Sequence, residues 1–133
     1  MITGKHAGTR LGKIFTAMKF ELLVLQANEW LQEVPDAIPV EIAYNGNGTK
    51  DGMESHLLHV RYRKAQTSAI REFRSLQMTD HDDRLEEEVT TLINIDGEVH
   101  ASSVLVGVLM LGTARVRRFV LAYLEYTPTP KKT

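Results

Sequence analysis

Apolar residues recur at helical spacing from Lys13 to Val34. Phe20, Leu23, Val24, Ala27, Leu31 and Val34 stand at offsets of 0, 3, 4, 7, 11 and 14, one stripe of a helix that Pro35 then stops. Beyond Pro35 the period shortens to two. Ile38, Val40, Ile42 and Tyr44 alternate with Glu41 on the other side, and Leu58, Val60 and Tyr62 alternate with His59, Arg61 and Arg63. This predicts strands over 38–44 and 55–64, joined by a glycine-rich loop from Asn45 to Gly52. Ala69, Ile70, Phe73 and Leu76 then share a helical face, so a short helix over 67–78, capped by Thr67 or Ser68, is preferred to a strand.

The Asp96-Gly97 pair between Ile95 and Glu98 marks a two-residue hairpin turn, because Asp-Gly readily takes the positive φ angles that a type I′ turn demands. That turn would pair Asn94 with Val99, Leu92 with Ala101 and Val89 with Val104. One arm would start near Glu88, although Leu85, Val89 and Leu92 also fit helical spacing, and the other would reach Leu111. Gly112-Thr113-Ala114 turns the chain again, and Arg115 to Tyr126 returns as the last strand.

These elements predict an α+β fold: a twisted antiparallel sheet of about five strands, a long N-terminal helix (13–34) packed on one face, and a short second helix (67–78). Residues 1–12 lack apolar periodicity and read as a flexible arm, residues 13–127 as a single domain, and the Pro/Lys-rich residues 128–133 as a flexible tail.

The first helix carries a second apolar cluster. Phe15, Met18, Leu22 and Leu25 fall opposite Phe20, Val24 and Leu31, where a helix lying on a sheet should show water a polar back. Burying each such side chain is worth about 1.5–3 kcal/mol. Four of them left exposed would mark an interface. Val104 to Leu111 and Phe119 to Leu124 are apolar on both pleat faces, which calls for cover on both sides, from the second helix or from a neighbouring chain.

Composition narrows the classes of function. A chain of 133 residues, 43% hydrophobic and 25% charged, suits one globular domain. A net charge of −1 argues against wholesale attraction to nucleic acid or an anionic membrane. No cysteine is present, so disulfides and thiolate chemistry are excluded. The longest apolar run, Val104 to Leu111, is broken by Gly107 and falls far short of the roughly 20 residues a membrane helix needs. The expected setting is the cytoplasm, or a virion if the chain is viral.

Candidate chemistry is sparse. His56 and His59 are three apart on a predicted strand and therefore face opposite ways; His6, His81 and His100 have no partner at ligand spacing. Asp80-His81-Asp82-Asp83 with Glu86, Glu87 and Glu88 lacks the glycine and alternate spacing of a calcium loop, so a solvated acidic helix start explains it better. Gly46, Gly48 and Gly52 are not followed by the Lys-Ser/Thr of a phosphate loop. Arg61 and Arg63, with Arg115, Arg117 and Arg118, would form a basic edge if their strands were neighbours, and such an edge serves mainly to prevent aggregation. No catalytic group, metal site or cofactor is expected.

The order helix, two strands, helix and closing hairpin resembles that of tail-completion and tail-terminator proteins of long-tailed phages. The resemblance implies a virion component that assembles as rings. Self-association through Phe15, Met18, Leu22 and Leu25, in a non-enzymatic structural or assembly protein, is the leading expectation. Its partners would be further copies or other assembly proteins, not nucleic acid or membrane. The alternative is a small-ligand or enzymatic domain with a pocket between helix and sheet, using Tyr44, Tyr62, His59 or His100.

Overall fold

The computed structural model of the chain describes residues 10–48, 53–79, 83–95, 98–99, 101–111 and 115–127. The elements in order are β1 (Leu11–Ala17), α1 (Phe20–Glu33), β2 (Ala37–Gly48), β3 (Glu54–Lys64), β4 (Ile70–Thr79), α2 (Leu85–Ile93), β5 (Asn94–Ile95), β6 (Glu98–Val99), β7 (Ala101–Leu111) and β8 (Arg115–Tyr126). The fold is α+β, as expected. The sheet of about five strands is instead two antiparallel three-stranded sheets, β1-β3-β2 and β4-β8-β7, with β5 and β6 forming a minimal third.

The long helix over 13–34 is a strand followed by a shorter helix. Gly12 and the β-branched pair Ile14 and Thr16 disfavour helix. Alternation also places Phe15 inward and Ile14 and Thr16 outward in a ladder that pairs Leu11 with Tyr62 and Ala17 with His56. The helix proper has 14 residues and buries Phe20, Leu23, Val24, Ala27, Trp30 and Leu31, the predicted stripe with Trp30 added. It ends one residue before Val34, whose N–H bonds to Trp30 O at 2.9 Å.

In β2, Ile38 and Ile42 are buried and Tyr44 is half-buried, but Val40 faces out because the register shifts between Pro39 and Glu41. A bulge is where a strand tolerates proline, and the extra residue turns Val40 away from the core. The strand also runs further than predicted: Gly46 pairs with His56 and Gly48 with Glu54, so this part of the glycine-rich segment is ladder. The predicted alternation of β3 holds throughout.

The helix expected over 67–78 is strand β4, whose ten residues all pair with β8, from Ile70↔Tyr126 to Thr79↔Arg117. Thr67, the expected cap, accepts instead from Ala69 N–H at 3.0 Å and closes a tight turn before the strand. The second helix is α2, at 85–93, where a hairpin arm was expected. Glu86, Glu87 and Glu88 sit in its first turn, where the helix dipole favours acidic groups. Leu92 and Val89 therefore pair with no strand, whereas Asn94↔Val99 and Ile95↔Glu98 pair as the Asp-Gly turn predicts. Residues 96–97 and 112–114, the two expected turns, lie outside the described residues, as do residues 1–9 and 128–133 of the expected arm and tail.

Helix α1 spans both sheets. Phe15 of β1 meets Trp30 edge-on at 5.7 Å between ring centroids, and Trp30 meets Tyr62 of β3 at 4.8 Å. Phe20 packs on Phe119 of β8 at 4.5 Å. Leu58, Val60, Phe73, Leu121 and Tyr123 complete the same core. In β4 the odd-numbered side chains turn to α1 and the even-numbered ones away: Gln77 donates to Glu21 of α1, while Arg74 donates to Leu92 O of α2 at 3.4 Å. The second sheet therefore lies between the two helices, which accounts for the burial of Phe119 to Leu124 on both faces by the chain itself.

Candidate functional site

The interface expected at Phe15, Met18, Leu22 and Leu25 divides in the structure. Phe15 is 6% exposed, held between β3 and Trp30, because it stands on a strand and not on the back of a helix. It belongs to the core and is withdrawn from the contact surface. Met18, Leu22 and Leu25 are 60%, 47% and 53% exposed. Leu22 lies on the helix back opposite the buried stripe, Leu25 follows one turn on, and Met18 sits just before the helix. Met53, ahead of β3, joins them: Met18, Leu22 and Met53, with Lys19, Glu21 and Glu54, line a groove of about 650 Å³. Met53 was missed because its place beside the helix start follows from the fold of a distant segment, not from any local period.

The expected basic residues do not form an edge. Arg61 and Arg63 lie on β3, the middle strand of its sheet, and Arg115, Arg117 and Arg118 on β8, the middle strand of the other. Arg61 is spent locally on Glu41, its cross-strand neighbour in β2, at 3.3 Å. Arg118 is half-buried, and the side chains of Arg115 and Arg117 lie outside the described residues.

Of the residues expected to line a pocket between helix and sheet, Tyr62 packs on Trp30 and Tyr44 on Phe20 at 5.6 Å. A hollow of about 340 Å³ between the helix start and the sheets is lined by Lys19, Phe20, Glu21, Glu54, Gln77 and Phe119. His59 is on the opposite face, with its Nε2 placed 3.0 Å from where a Cβ on Gly12 would stand, so Gly12 makes room for the imidazole. His6, His81 and His100, with residues 80–82 of the acidic stretch, lie outside the described residues. Among those described, no group of three or more His, Cys, Asp or Glu side chains could hold a metal ion. No described helix is long and apolar enough to cross a membrane.

One polar constellation was not expected. His56 is enclosed in the core, its ring edge-on to Phe20 at 6.0 Å and to Phe119 at 5.4 Å. Its Nε2 is 2.9 Å from Glu54 Oε1 and its Nδ1 is 2.7 Å from the Tyr44 hydroxyl. An ionised carboxylate can only accept, so Nε2 carries the proton and Nδ1 of the neutral ring accepts from the Tyr44 O–H. In the imidazolium form the hydroxyl turns and accepts from Nδ1–H. Both forms thus keep both bonds. The His56 side chain is wholly shielded from solvent, and the residue stands at the wall of an open hollow of about 760 Å³ that Ala17, Met18, Asn45, Gly46 and Ser55 also line. The signal in the sequence was the parity of Glu54, His56 and Leu58, which puts His56 on the inward face of β3.

The fold and the exposed groove together define a two-sheet α+β domain with an unshielded apolar helix face. Comparison with protein-family models, with curated proteins and with solved structures finds no match.

Proposed function

We propose that the chain is a self-associating structural or assembly protein whose contact surface is the start of α1. The observation that carries this reading is the exposure of Met18, Leu22 and Met53, three large apolar side chains around one groove, with Leu25 exposed one turn further along the helix. Each offers about 1.5–3 kcal/mol on burial, and an apolar patch framed by Lys19, Glu21 and Glu54 has the layout of an interface with a polar rim. The likeness to phage tail-completion and tail-terminator proteins rests on element order alone; a second helix, α2, does follow the strands after α1, with β1 and β4 added to the order. Self-association is what we propose, with a virion role as one setting for it.

Light scattering and sedimentation at micromolar concentration should find an oligomer of the wild-type chain. Leu22→Glu with Leu25→Glu should dissociate it while leaving the circular dichroism spectrum unchanged, because both positions face solvent and glutamate is a good helix former. A wild-type chain that stays monomeric at high micromolar concentration overturns the proposal.

A further inference from the structure

The two three-stranded sheets have four edge strands, β1, β2, β4 and β7, and among the described residues three of these edges meet another part of the chain. β2 and β7, each an edge strand of its own sheet, lie in contact with each other. The free edge of β4 is met by Asn28 of α1, whose amide donates to Phe73 O at 3.0 Å and accepts from Phe73 N–H at 2.7 Å, as a neighbouring strand would. β1 ends its sheet with no described strand beyond it. Edges of this kind are ordinarily blunted by proline, a bulge or outward charge. β1 has no proline, and its ladder with β3 is unbroken from Leu11 to Ala17. Its solvent-side centre is Ile14, 58% exposed. Its single charge, Lys13, turns to the helix side, with the ammonium 5.8 Å from the centre of the Phe15 ring.

We propose that a second copy of the chain pairs its β1 antiparallel to this edge, joining two three-stranded sheets into one of six across a two-fold axis at Ile14. This rests on the self-association reading and specifies a strand contact that adjoins the helix face, since Met18 directly follows β1.

The register follows from geometry. Residues opposite one another in an antiparallel pair share a face, so a two-fold self-pairing must centre on a residue. Centring on Ile14 alone matches all seven residues, Leu11 to Ala17. Ile14 then covers Ile14 of the other copy, and the incoming Lys13 stands opposite Phe15 on the helix side.

Charge complementarity favours a second copy as the occupant. The groove along β1 that the strand would follow, of about 350 Å³, is lined on the helix by Gln26, Glu29 and Glu33 and on the strand by the chain's own Lys13. The charged residues of α1 are Glu21, Glu29 and Glu33, with no lysine or arginine, and neither Glu29 nor Glu33 forms an ion pair among the described residues. The groove thus holds two carboxylates and one lysine, and an incoming Lys13 supplies the second cation, at both ends by symmetry.

The chain has no cysteine, so single cysteines report the register cleanly. Under mild oxidation Ile14→Cys should form a disulfide-linked dimer, because the two thiols face each other across the axis, whereas Thr16→Cys, opposite Gly12, should not. Ile14→Lys should weaken association roughly a hundredfold by removing two buried isoleucines and setting like charges opposite each other. Crosslinking of Thr16→Cys as readily as Ile14→Cys, or of neither, overturns the strand pairing. An oligomer that survives Ile14→Lys but is dispersed by Leu22→Glu with Leu25→Glu overturns it too, and leaves the helix-face reading standing. A monomeric wild type overturns both.

Discussion

His56 is buried, and its two ring nitrogens are both bonded. Replacing Tyr44 by Phe keeps the ring that packs on Phe20 but deletes the hydroxyl, leaving Nδ1 enclosed and unpaired. Stability should fall by about 1–3 kcal/mol, read from urea unfolding curves. Tyr123 presents a titratable case. Burial, and after it the Glu125 carboxylate, pushes its phenol above the ordinary tyrosine range. The unfolded chain therefore releases this proton first as pH rises. The stability tied to the neutral phenol is complete below about pH 10 and is lost above it. Tyr123→Phe should accordingly lose less stability than wild type between about pH 9 and about pH 11. At this scale the sequence was readable where parity alone decides: Leu58, Val60 and Tyr62 inward, His59 and Arg61 outward. It was unreadable where a partner lies far along the chain, as with Met53 beside Met18.

Between elements, β4 does what the helices omit. Neither helix has a basic residue in its last turn. Arg71 of β4 reaches over the end of α1, donating to Leu31 O at 2.8 Å and also to Val34 O and Ala37 O. Arg74 does the same for α2 at Leu92 O. Leu31 O and Leu92 O are among the carbonyls a helix end leaves without an internal partner. Asn28 returns the favour by closing the edge of β4 at Phe73. Asn28→Ala should cost about 2–3 kcal/mol by orphaning the two backbone groups of Phe73, visible in chemical denaturation together with faster amide exchange at Phe73. The same interplay explains why residues 67–78 misread as helix. Ala69, Ile70, Phe73 and Leu76 do fit a 3.6-residue period, yet a ten-residue ladder to β8, some fifty residues away, outweighs it. Local pattern cannot register that pairing. The opposite error at 88–93 has a local answer: the acidic first turn already favoured a helix, and Thr90 and Thr91 bond back to Glu86 O and Glu87 O along it.

For the molecule as a whole, the single-sheet picture failed because β2 and β7 lie together without a hydrogen-bonded ladder between their sheets. What joins the halves is α1 above them and the packing along that seam. Gly107 of β7 marks the seam: a Cβ there would collide with the Tyr44 ring. Tyr44 in turn holds His56, so the backbone of one sheet sets the hydrogen bonding of the other. Positions 44 and 107 are therefore not free to drift independently. A side chain can enter at 107 only after the ring at 44 has shrunk, and a smaller residue at 44 opens a void that a larger one at 107 can fill. In lineages descended from this chain, changes at these two sites should arrive as a compensating pair, their separation of 63 positions notwithstanding.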